Sequence, residues 1–195
     1  MEVFDNIAIS SRIRLARNVE DFKFYTKQNS DEDALFITSE VRKVLDKFDL
    51  FNFMSLKDLS LNECNALFEQ HLISKELIAN KDISGVAISE DESVIVMINE
   101  EDHIREQCIQ EGFNLLKAYR KISKIDDGIL KNLNIAFDEN LGFITASPAN
   151  LGTGMRASVM LFLPALEFYG KINEIIDRAG RAHLTVRGLY GEGSR

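Results

Sequence analysis

The sequence predicts an α+β fold in which an antiparallel β-sheet is flanked by helices. Three observations point there. Apolar residues recur at every second position in several short runs, the period of a half-buried strand. Other apolar residues recur at helical spacing behind serine caps. Hairpins outnumber strand–helix–strand units, which a parallel sheet would require.

Ile7, Ile9, Ile13 and Leu15 alternate with Ala8, Ser10, Arg12, Arg14 and Ala16, giving a first strand. Arg12 and Arg14 then share a face with Cα atoms roughly 6–7 Å apart. Ser30 can cap a helix whose stripe is Ala34, Ile37, Val41, Val44, Leu45 and Phe48. Ser60 and Glu63 form a capping-box pattern for a helix running to Gln70. Residues 85–89 and 93–98 read as a hairpin around Glu90-Asp91-Glu92, and Glu100-Glu101 follows its second strand. Residues 104–109 read as a further strand. Phe113, Leu116, Tyr119, Ile122 and Ile125 mark a long helix. Residues 135–137 and 143–146 flank Asp138 to Gly142 as a second hairpin. Ser147 to Gly154 is a loop, 155–163 a strand with Arg156, Ser158, Met160 and Phe162 on one face. A helix through Ile172, Ile175, Ile176 and Ala179 leads to a short strand at 184–186. One domain over residues 1–195 is expected, since 195 residues at 45% hydrophobic content can bury one core.

Composition narrows the function. A net charge of −8 argues against general nucleic-acid binding, which needs a basic surface. No apolar run is long enough to span a bilayer, and Met1 to Asp5 is no signal peptide, so a cytoplasmic location is expected. Cys64 and Cys108 lack metal-ligand spacing and are expected to be reduced interior thiols. Yet five of the eleven arginines fall in four motif-like patches: Arg12 and Arg14, Arg105, Arg156, and Arg187. Guanidinium is always charged and donates paired hydrogen bonds, which suits phosphate. Several converging imply a compact polyanion, and neighbouring carboxylates point to phosphoryl transfer.

Taken singly, each piece has a plainer reading. Ser-x-Arg-x-Arg is ordinarily a solvated edge strand, Glu100-Glu101-Asp102 an acidic turn, and Met160 a core residue. His103 reads as structural or orienting, and His71 divides between ligand contact and helix-end packing. The Gly-x-x-x-x-Gly-Lys-Ser/Thr loop and the His-Arg-Asp and Asp-Phe-Gly pair are missing from the sequence.

In combination and in order, Ser-Ser-Arg-Ile-Arg-Leu-Ala-Arg-Asn, Asn-Glu-Glu-Asp-His-Ile-Arg and Val-Arg-Gly-Leu-Tyr-Gly-Glu-Gly-Ser resemble the guanidino phosphotransferases. The resemblance runs from Ile7 to Ser194 and is strongest to the bacterial protein arginine kinase branch. Small-molecule phosphagen kinases place a helical domain before this unit, and here the first motif begins at Ser10. The resemblance implies an antiparallel sheet flanked by helices, ATP with Mg2+ as cosubstrate, and protein arginine side chains as acceptors. It implies catalytic roles for Glu101, Glu192, Arg105, Arg156 and Arg187. Around the nucleotide it places Ser10, Ser11, Arg12, Ile13, Arg14, His71, Arg105, Arg156, Ala157, Ser158, Val159 and Met160. The segment Arg187, Gly188, Leu189, Tyr190, Gly191 and Glu192 completes that set. Glu101 is the expected base and Glu192 its alignment partner. A zinc-binding adaptor, a Clp-type chaperone–protease, a stress-gene repressor and a homodimer are the implied partners.

Two departures from the family pattern stand out. Ser147-Pro148-Ala149-Asn150 replaces the usual Cys-Pro-Thr-Asn, and a neutral hydroxyl cannot pair with guanidinium as a thiolate can, so slower transfer is expected. The family's sheet continues beyond Gly-Glu-Gly-Ser and its protein-kinase branch adds a helical domain, so the domain is expected to be cut short at its C-terminal end. The alternatives are a phosphagen kinase for free arginine or another small guanidino compound, and a catalytically weakened nucleotide- or phosphoarginine-binding module.

Overall fold

The computed structural model describes residues 7–24 and 30–188. Strand β1 is Ala8–Arg17, followed by α1 (Asp31–Leu45), β2 (Phe51–Ser55), α2 (Leu61–Glu69) and α3 (Lys75–Ala79). Then come β3 (Gly85–Ser89), β4 (Val94–Ile98), β5 (Ile104–Glu111) and α4 (Leu115–Asn132). The chain continues through β6 (Phe137–Asp138), β7 (Gly142–Phe143), β8 (Met155–Leu161), α5 (Pro164–Phe168) and α6 (Ile172–Arg181). Six strands form one sheet in the order β2-β3-β4-β5-β1-β8, and β6 and β7 form a separate hairpin. Every pairing among the described strands is antiparallel, as the hairpin pattern predicts.

The helix starts follow local chemistry. Ser30 Oγ accepts the Asp33 N–H at 3.1 Å, and Asp31, Glu32 and Asp33 complement the positive helix end. At α2 the capping box forms: Ser60 Oγ accepts from Glu63 N at 3.3 Å and Glu63 Oε2 accepts from Ser60 N at 2.7 Å.

Each face of the sheet has its own core. On one, Ile13, Leu15, Val96, Ile98 and Ile104 pack against Ile37, Val41 and Leu45 of α1 and Ala118, Ile122 and Ile129 of α4. On the other, Val86, Ile88, Ile95 and Met97 pack against Cys64 of α2 and Leu77 of α3. That second cover stops at β4. Beyond it, the same face of β5, β1 and β8 carries a polar array, and the candidate site lies there.

Several expectations change. Leu116 and Tyr119 are exposed, and α4 instead buries Ala118, Ile122, Ile125 and Ile129, because the strands meet a face rotated from the predicted stripe. Phe113 lies before α4, which begins at Leu115. Residues 184–186 form no strand: Leu184 and Val186 are exposed and pair with no described strand. Strand β8 ends at Leu161, ahead of the Pro164 that opens α5. The second hairpin shortens to two residues per strand. Strand β2 and helix α3 were not anticipated. Cys64 and Cys108 are buried free thiols. No described helix is long and apolar enough to cross a membrane.

Candidate active site

Strand register assembles the polar array. Arg14 faces Arg156 across β1–β8 and Gln107 across β1–β5, while Ala16 faces Arg105. Arg12 faces Ser158, and Ser10 faces Met160. Cross-strand partners share a face. Ser10, Arg12, Arg14, Arg105, Arg156, Ser158 and Met160 therefore stand on one side of three adjacent strands.

Their charges oppose one another. Burial, then the charges of Arg105 and Arg156, lower the Arg12 pKa. Burial, then Arg12, Arg105 and Arg156, bring Arg14 down to about 9, against an opposing contribution from Glu100. The cluster therefore holds mutual repulsion, offset in part by Glu100, that a bound anion would relieve. Arg14 Nε is buried without a hydrogen-bond partner.

The acidic side comes from the turn between β4 and β5. Asn99 takes a left-handed conformation, φ 61°, which Asn tolerates better than most residues. Its Nδ2 lies 2.8 Å from Ala34 O and 2.9 Å from Ile83 O. Asn80 Nδ2 donates to Glu100 O at 2.9 Å, so the backbone under Glu100 and Glu101 is fixed from below. Glu100 is 2% exposed and ion-pairs with Arg105. Burial alone would raise its pKa, but Arg105 and hydrogen bonds from Arg105, Ser74 and Glu101 N outweigh this and hold it low. Glu101 is different: burial, then Asp102 and Glu100, raise its pKa against Arg105.

Asp102 ties this turn to the loop opposite. Its Oδ1 accepts from Asn18 Nδ2 and from Ala146 N, both at 2.6 Å, directly before Ser147. His103 is structural. Val19 N donates to Nδ1 at 3.0 Å, leaving Nε2 to donate to Lys23 O at 2.8 Å. Burial lowers its pKa, so the ring is a neutral brace rather than a proton carrier.

A cavity of about 390 Å³ is lined by Arg14, Glu76, Asn80, Glu100, Glu101, Arg105, Arg156 and Arg187. An adjoining one adds Asp102, Ser147, Asn150 and Gly154. Other expected residues lie elsewhere. Ser11 is fully buried on the helix-covered face, accepting from Asn114 N and donating to Gly112 O, both at 2.8 Å. Ile13 is in the core, and Ala157 and Val159 pair with Ile13 and Ser11 on that same face. His71 ends α2 at φ 61° with an exposed side chain, and its carbonyl accepts from Gln107 Nε2 at 3.2 Å. Gly188 is half-buried after Arg187. Leu189, Tyr190, Gly191 and Glu192 lie outside the described residues. Glu76 and Asn80, within and just after α3, carried no sequence signal of their own, and Asn150 was legible only as the last residue of the Ser147-Pro148-Ala149-Asn150 loop. Asn150 Oδ1 is a buried acceptor without a partner in this cavity.

The chain is 43% identical to a Protein-arginine kinase of Clostridium acetobutylicum, over 98% of this chain and 57% of that protein. It is 45% identical to one of Geobacillus stearothermophilus, over 97% of this chain and 53% of that protein. The chain thus spans about half the length of the curated relatives it matches. A substrate-free duplicated taurocyamine kinase from Schistosoma mansoni superposes with TM-score 0.75 at 28% identity, covering 85% of this chain and 25% of that one. Lombricine kinase shares the fold with TM-score 0.81 at 24% identity, covering 98% of this chain and 57% of that one. Residues 36–195 match the C-terminal catalytic domain of the ATP:guanido phosphotransferases, and the chain belongs to that family.

Proposed function

We propose that this chain forms the phosphoryl-transfer site of a protein arginine kinase, moving the ATP γ-phosphoryl group onto arginine side chains of proteins. The observation that carries the reading is the convergence of Arg12, Arg14, Arg105 and Arg156 on one sheet face beside a Glu101 of raised pKa. The guanidinium array fits a triphosphate, whose charge would relieve its repulsion. Among the described residues no group of three or more His, Cys, Asp or Glu could hold a metal ion. Magnesium would come with the nucleotide's phosphates as part of the substrate and would supply charge neutralisation during transfer.

The acceptor guanidinium has a pKa above about 12 and is no nucleophile until a proton leaves. Glu101 takes that proton. The freed nitrogen forms the N–P bond while the bond from Pγ to the β–γ bridging oxygen breaks, and ADP departs. Arg14, Arg105 and Arg156 stabilise the charge spread over the equatorial oxygens, each such donor contributing ~3–4 kcal/mol. Glu100 keeps Arg105 in place by its buried ion pair. Asn150 Oδ1 offers an N–H of the acceptor a place to donate, and Glu192 is the second carboxylate of the proposal by resemblance. Ser147, lining the same cavity, offers a neutral hydroxyl there. Proteins rather than small guanidino compounds are favoured as acceptors by 43–45% identity to kinases named for protein arginine. The zinc-binding adaptor, the Clp-type chaperone–protease, the stress-gene repressor and a second copy of the chain stand as partners on the resemblance alone.

Glu101→Gln tests the assignment. Phosphoarginine formation is expected to fall on the order of 10²–10⁴-fold. Calorimetric ATP affinity should stay within about threefold, under 1 kcal/mol. Undiminished transfer would remove Glu101 from the reaction.

A further inference from the structure

The motif that supplies Arg12 and Arg14 contains a third arginine that faces away from the cavity. Arg17 lies on the helix-covered face of β1 and is 3% exposed. Its Nε and Nη2 donate to Asp126 Oδ1 and Oδ2 of α4 at 3.0 and 2.8 Å. Its Nη1 donates to Ala16 O at 2.8 Å and to Thr153 O at 3.2 Å. The guanidinium carbon sits 3.7 Å above the Phe143 ring. Every side of this group is thus engaged, which is unlike a cation waiting for phosphate.

The contacts meet on one short segment. Gly154 O accepts from Ala16 N at 2.8 Å, and Phe143 N donates to Gly152 O at 2.8 Å. Gly154 has φ 61°, and a Cβ there would stand 2.4 Å from Arg17 Nη1. Residues 152–154 are therefore pressed between the end of β1, the guanidinium and the Phe143 hairpin. Upstream, the same loop presents Ser147 and Asn150 to the acceptor side of the cavity. Downstream, two residues lead to Arg156 on the phosphate side.

We propose that Arg17 is a positioning residue: clamped to Asp126 and stacked on Phe143, it fixes residues 152–154 and thereby sets Ser147 and Asn150 against Arg156. Glu106 supports the arrangement from β5. It is fully buried, and burial, then the Asp126 charge, push its carboxyl well up against the opposing charge of Arg17, while the 2.8 Å contact pairs Arg17 with Asp126. The catalytic consequence rests on the kinase reading above; the structural consequence does not.

Two variants of the full chain test this. Arg17→Lys keeps a positive charge beside Asp126 but cannot hold it bidentately, reach Thr153 O and stack on the ring together. Phe143→Leu removes the ring and leaves the buried ion pair whole, so it carries the test should Arg17→Lys fail to fold. Hydrogen exchange is expected to rise at residues 150–156 in the folded variant, with exchange in β3 and β4 unchanged. Turnover on an unfolded arginine-rich protein should fall roughly 10- to 100-fold, the size of effect a misplacement near 1 Å produces. The ATP KM is expected to move far less, and Phe143→Tyr, which keeps the ring, should restore turnover. Wild-type exchange at 150–156 in the folded variants would overturn the positioning role. So would raised exchange there with wild-type turnover. A wild-type chain that makes no phosphoarginine would instead defeat the kinase reading, and the exchange measurement would still decide whether Arg17 holds the loop.

Discussion

Arg14 concentrates the electrostatic conflict on which the site depends. Burial and three neighbouring guanidinium groups lower its pKa to about 9, against an opposing contribution from Glu100. A group whose charged form is disfavoured by folding destabilises the free protein and rewards anion binding. Arg14→Met is thus expected to raise the thermal midpoint of the free chain. The same variant should weaken pyrophosphate binding roughly 30-fold or more, the loss typical of truncating one partner of a buried charge pair. Calorimetry on both states checks the two signs together. Glu101 makes a pH prediction. Transfer needs its carboxylate form, so kcat/KM falls as pH drops through its free-enzyme pKa. Because burial, Asp102 and Glu100 raise that pKa, the acid limb should lie above the ordinary glutamate value of 4.5. Asp102→Asn removes one of the raising charges, so a pH–rate profile should show the limb shifted downward. The side-chain alternation that pairs Arg12 with Arg14 was readable in sequence. The brace at His103 was readable in kind, whereas the hydrogen bonds making it neutral depend on Val19 and Lys23, brought close by folding alone.

At the scale of elements, capping serines and helical periodicity located α1, α2 and α6. The five-residue β2 and α3 escaped, being too short for a periodic signal to rise above chance. The predicted strand at 184–186 had the right residue types but no described strand beside it, and strand identity comes from pairing as much as from propensity. Two helix glycines show how packing overrides propensity. In α6, a Cβ at Gly180 would meet nothing within 4 Å. Gly180→Ala should therefore stabilise by about 0.5–1 kcal/mol. In α4, a Cβ at Gly128 would stand 2.4 Å from the Phe48 ring, where α1 turns back onto α4. The same propensity gain is there outweighed by overpacking, and Gly128→Ala should destabilise by about 1–3 kcal/mol. Urea unfolding of both variants reads the opposite signs directly.

At the scale of the molecule, the fold leaves polar the region where helical cover ends. Helices α1 and α4 seal one face of the sheet, while α2 and α3 seal the other as far as β4. Strand order then sets β1 between β5 and β8 and lines up arginines that are far apart in sequence. That order was not legible, because period-two patterns specify faces and say nothing of neighbours. The α+β class was legible, since hairpins bring their own antiparallel pairing. Phosphoarginine mass spectrometry under non-acidic conditions, after incubating the chain with Mg-ATP and an unfolded arginine-rich protein, tests the transfer site most directly. The expected result is N-phosphorylated arginine on the substrate in wild type and its loss in Glu101→Gln. ATP binding with no phosphoarginine formed, on that protein or on free arginine, would contradict it.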